Sequence, residues 1–112
     1  MIIKKSESKK FVNSPFCIAY EYGHNDKDIN LAVIELSGRY PTKGRVINKI
    51  SKEVAFVVEG KGKVGIDGKE FLLNKGDSVL IRSNQKFFWE GKMKLAMVCY
   101  PAFDPKQHVE CD

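Results

Sequence analysis

Residues 48–64 read NKISKEVAFVVEGKGKV. Glu53 stands directly ahead of an apolar run, Val54 to Val58, which ends at Glu59-Gly60, with a second glycine at 62. In an extended chain successive side chains point to opposite faces. Val54, Phe56 and Val58 then share one face, and Ala55 and Val57 share the other. Both faces are apolar, so this strand is expected to be covered twice, by a barrel interior on one side and by a neighbouring sheet or subunit on the other.

The same cadence runs through the chain. Strands are expected over Phe16–Tyr22, Ile29–Leu36, Val46–Asn48, Val54–Glu59, Lys63–Ile66, Glu70–Leu73, Ser78–Ile81, Phe87–Glu90 and Leu95–Tyr100. Asp67-Gly68 between two short runs is a two-residue hairpin signal, because both central residues need positive φ. Asn74-Lys75-Gly76, Ser83-Asn84-Gln85 and Glu90-Gly91-Lys92 carry further turn chemistry. No window has a 3.6-residue apolar period. Many short strands at spacings near ten residues predict an all-β antiparallel barrel or sandwich with little or no helix.

At 112 residues the chain is long enough for one core. Its 43% hydrophobic and 29% charged residues are ordinary for a globular domain. No apolar run reaches the roughly 20 residues of a membrane-spanning helix, and none near the start suits a signal peptide. A cytoplasmic protein that avoids membranes is expected. The net charge is +5, but only Arg39, Arg45 and Arg82 among the 19 basic residues are arginine, the usual base and phosphate reader. The scattered lysines argue for solubility, not for nucleic acid. Cys17, Cys99 and Cys111 are odd in number and widely spaced, which predicts neither disulfides nor a zinc knuckle.

Over residues 38–101 the chain resembles the cupin superfamily. That family's first motif is a glycine, five residues, His-x-His, three or four residues, a glutamate, six residues and a glycine; EVAFVVEGKGKV matches its second half, with Glu53 and Gly60 in register. Gly76 in GDSVLI opens the second motif. The runs FFWEG and PAFDPKQH resemble a set of very small single-barrel cupins. The resemblance implies a cupin-type jelly-roll barrel (a double-stranded β-helix) over residues 13–103, preceded by an arm, 1–12, that could pack on a partner subunit, and followed by a tail, 104–112. It also implies a metal quartet of three histidines and a glutamate, and here the chain departs. The histidine positions fall on Val46, Asn48 and Phe87, and only Glu53 remains of the quartet. A single carboxylate does not hold a divalent transition metal, so no metal and no cofactor is expected.

Glu53 is the candidate general base or ligand anchor, because burial in an apolar wall would raise its pKa towards neutrality. Otherwise it bonds internally to Asn48 or pairs with Arg45 or Lys49. Asn48 and Tyr40 are candidate ligand contacts, with Arg45 beside them; an inward Asn48 amide both donates and accepts. Phe87 and Trp89 share a face at the barrel mouth, where they either stack on a sugar or planar ligand or fill the core. His24 and His108 read as solvated surface residues, although the tail could fold His108 over the mouth. Three functions follow: a metal-free barrel binding a small polar or sugar-like molecule, a metal-independent sugar isomerase or epimerase using Glu53 as base, or a structural dimerisation module. An apolar outer sheet makes a homodimer the expected assembly.

Overall fold

The computed structural model describes residues 1–112. Nine strands run β1 (Lys9–Ser14), β2 (Cys17–Tyr22), β3 (Asn30–Tyr40), β4 (Arg45–Asn48), β5 (Lys52–Ile66), β6 (Lys69–Asn74), β7 (Ser78–Ile81), β8 (Phe87–Tyr100) and β9 (His108–Cys111). The only helical pieces are single 3-10 turns at Lys5–Glu7 and Pro105–Gln107. No helix is long and apolar enough to cross a membrane.

Three long strands make the frame. β8 pairs antiparallel with both β3 and β5, so each of the three contributes to both layers of a jelly-roll β-barrel. One layer runs β1-β2-β3-β8-β5-β7; the other takes the far halves of β3, β8 and β5 together with β6, β4 and β9. The long strands pass the bend between layers without breaking. Glu90-Gly91-Lys92, expected as a turn, is therefore strand: Gly91 pairs with Gly38 on one side and Gly62 on the other. A turn signal and a strand bend use the same residue here for different reasons. Gly91 has a φ of 139°, and a Cβ there would strike the backbone of Gly62 and Lys61; a Cβ on Gly60, at φ 82°, would strike Lys92. Glycine lets β5 and β8 meet at the bend.

Asp67-Gly68 forms the expected hairpin between β5 and β6, with φ of 49° and 84°. Two strands were not expected from the sequence. Lys9–Ser14, mostly within the predicted arm, pairs with β2 of its own chain, and His108–Cys111, within the predicted tail, pairs with β4. Both are short and polar, so alternation does not mark them.

Val46, Ala55, Val57, Val64, Ile81, Phe87, Trp89 and Leu95 belong to one buried cluster. The outer face of the first layer differs. Val54 is 48% exposed and Phe56 47%, and Val54 lies beside Leu80 and Val98, which are also exposed. The double cover expected for this strand is half present: the single chain covers only the inner face.

Gly91→Ala is expected to lower stability by about 1–3 kcal/mol, read as a shift in the urea midpoint. Gly23→Ala, where a Cβ meets nothing within 4 Å, serves as the control and should leave it nearly unchanged.

Candidate functional site

Alternation along β4 turns Val46 and Asn48 inward and leaves Arg45 outside, beside Gly65, Gly68, Lys69 and Phe88. The expected place of Arg45 at the site is thus corrected: strand parity directs it to the outer surface. Asn48 is 1% exposed. Its Oδ1 accepts from Gln107 Nε2 at 3.3 Å and lies 2.8 Å from Nδ1 of His108. Nε2 of the same imidazole lies 2.9 Å from the hydroxyl of Tyr40, at the end of β3. The Tyr40 and His108 rings lie nearly parallel, 6.1 Å apart, and the Phe103 and Phe87 rings flank His108 at 5.6 and 6.4 Å. His108 is therefore half-buried among aromatics, not solvated. The tail brings it there. Asp104 caps the turn at Pro105–Gln107, Gln107 Oε1 accepts the backbone N–H of Ile50 and Ser51, and β9 locks onto β4. His24 stays on its loop, bonded to the carbonyl of Tyr22.

Glu53 opens the inward row of β5. It is 4% exposed and makes none of its expected bonds. Its partner is Cys99, directly opposite on β8, whose Sγ lies 3.5 Å from Oε2. Burial pushes the Glu53 carboxyl up to about 7; the thiol pulls it down a little, and nearby Glu21 pushes it up. Burial and the same carboxyl drive the Cys99 thiol well above its usual range. Glu21 is raised by burial and held back by Asn30, whose Nδ2 donates to its Oε2 at 3.1 Å. Burial, then Cys17, Glu110 and Glu53, push the Tyr40 phenol up to about 12. Burial lowers His108, against an upward pull from Glu110. At neutral pH this end of the barrel thus holds a phenol, a neutral imidazole and a carboxyl near its midpoint.

Phe87 and Trp89 do share the inward face, but both belong to the core, their rings edge-on at 6.4 Å. They fill the barrel wall and leave no free ring face at the mouth. Of the quartet positions implied by the resemblance, Val46 and Phe87 have no lone pair to give, and no three His, Cys, Asp or Glu side chains converge anywhere in the chain. This donor set does not fit a divalent metal.

The family profile described as "Cupin domain" matches residues 46–99. This is a cupin fold. Structures of Streptomyces PAC13, described as a unique nucleoside dehydratase, superpose with a TM-score of 0.90 at 18% identity for a variant with uridine, covering 99% of this chain and 89% of that one. KdgF from Halomonas sp. gives 0.75 at 15% identity, covering 95% and 97%. Oxalate decarboxylase from Bacillus subtilis gives 0.79 at 15%, covering 96% of this chain and 31% of that one. Comparison with curated proteins finds no match.

The protein's stability should carry the signature of Glu53. The folded state keeps this proton up to about pH 7, whereas an ordinary carboxyl releases it near 4.5. The folded state therefore binds more protons in that window, so stability is full below it and falls as pH rises through it, by about 3 kcal/mol in all. Above the window Glu53 contributes no further change. Urea midpoints between pH 4 and 9 should show this fall for the wild type and not for Glu53→Gln.

Proposed function

We propose that this cupin binds a small polar or sugar-like molecule at its barrel mouth, in the cytoplasm, without a metal. One observation carries the reading: Tyr40, His108 and Asn48 form a continuous hydrogen-bonded set at one end of the barrel, beside the buried acid Glu53. Ligand sites combine apolar walls with a few placed polar groups that fix orientation, and here the Phe103 ring stands against His108. The uridine in the PAC13 structures lends support at the level of fold, since a nucleoside carries a sugar.

A second reading, a metal-independent isomerase or epimerase, is favoured by the carboxyl of Glu53, which stands near 7 and so exchanges its proton at neutral pH. Its burial opposite Cys99 weighs against direct contact with a substrate. A homodimer through the outer face of Val54, Phe56, Leu80 and Val98 is compatible with either reading.

A panel of aldoses, uronic acids and nucleosides, uridine among them, is expected to include a compound that raises the melting temperature. A hundredfold excess over Kd stabilises by about 2.7 kcal/mol. Tyr40→Phe should weaken that shift, and a panel with no stabilising member would contradict the binding reading. Light scattering after gel filtration should give a dimer mass for the wild type and a monomer mass for Phe56→Glu; a monomeric wild type would remove the dimer.

A further inference from the structure

The hydrogen bonds at the mouth run in one direction, and main-chain atoms fix that direction. The N–H groups of Ile50 and Ser51 can only donate, and both do so to Gln107 at 3.0 Å. The atom of Gln107 facing them is therefore its oxygen, which turns its Nε2 towards Asn48. Asn48 must meet that amine with its own oxygen. The same oxygen faces Nδ1 of His108, so Nδ1 carries the hydrogen. In a neutral imidazole Nε2 is then bare, and the hydroxyl of Tyr40 donates to it. Tyr40 is half-buried, and its oxygen retains lone pairs.

We propose that Tyr40, His108 and Asn48 form a proton relay that acts on an open-chain sugar with a carbon–hydrogen bond next to its carbonyl. This rests on the sugar-binding reading and names the reacting bond. The proton on that carbon passes to the Tyr40 oxygen while the Tyr40 proton passes to Nε2 of His108. The electron pair of the broken C–H bond remains on the substrate as an enediolate, and the imidazolium points its Nδ1–H at Asn48. Reversal returns a proton to carbon. No oxidant, reductant or metal enters the balance. Tyr40 is the catalytic residue; His108 acts through it, and Asn48 positions His108. The charged or titratable groups that bear on the pair are Glu110 from β9, and Cys17 and Glu53 from β2 and β5. Of these, Glu110 acts on His108 and favours the imidazolium once it forms.

Two measurements on the full chain test this. Long-range proton–nitrogen correlation on labelled protein without ligand should find His108 at pH 7 as the neutral form with hydrogen on Nδ1. In D2O, a panel of D-glucose, D-xylose, D-ribose and D-glucuronate should include a sugar that gains deuterium at the carbon beside its carbonyl. Tyr40→Phe should keep the tautomer and lose roughly a hundredfold or more in wash-in. Asn48→Asp keeps an acceptor for Nδ1–H and adds a charge, so it should move the pH profile of wash-in upwards. Hydrogen on Nε2, or wash-in that survives Tyr40→Phe, would overturn the relay. A sugar that raises the melting temperature without wash-in would overturn the relay and leave the binding reading standing. A panel in which no sugar does either would overturn both.

Discussion

Buried Asn48 ties the tail, strand β4 and the turn before β8 together. One amide, almost wholly out of water, receives hydrogen bonds from two consecutive residues of the tail, Gln107 and His108. The main-chain carbonyl of Asn48 accepts the N–H of Asn84 from the turn before β8. Strand β4, the tail and that turn thus converge on one residue. A buried donor left unpaired costs about 1–3 kcal/mol, so Asn48, Gln107 and His108 hold one another in place. The ladder between β4 and β9 holds the tail alongside these side-chain bonds.

From that constraint the interior divides into two kinds of wall. Phe87, Trp89, Val46 and Val64 pack as a dry core and leave no room for chemistry. The polar groups stand against that core: Tyr40 and His108 under the tail, Glu53 and Cys99 facing each other across β5 and β8, and Glu21 and Asn30 on β2 and β3. Burial pushes Tyr40, Glu53 and His108 there towards their neutral forms.

The frame of the fold was legible in the run from Glu53 to Gly62, because strand alternation and glycine punctuation are local. Inward Val46 and Asn48 followed from the same parity, whereas the two apolar faces of the Val54 to Val58 run left open which one turns outward. What alternation could not supply was the partner of each inward group. Cys99 lies 46 residues from Glu53, and its own apolar run disguised it as simple core. His108 lay in a polar tail with no period. Its signal was DPKQ, an aspartate cap followed by a proline at the first helical position, which marks a turn that sends the chain back onto the barrel. Glu21 also left a trace, a lone carboxylate on the same parity as Cys17 and Ala19 in CIAYEY. Arg45 went the other way, since proximity in sequence to Asn48 placed it beside the site and strand parity turned it outside.

Under the proposed reading, the polar side chains of Asn48, Tyr40 and His108 bind a small molecule at this barrel end without a metal. Native mass spectrometry of untagged protein, purified without chelators, tests it most directly because metal, bound molecule and assembly are weighed together. The account predicts a mass free of transition metal, alone or with a small organic adduct. A transition metal retained at one per chain would contradict it.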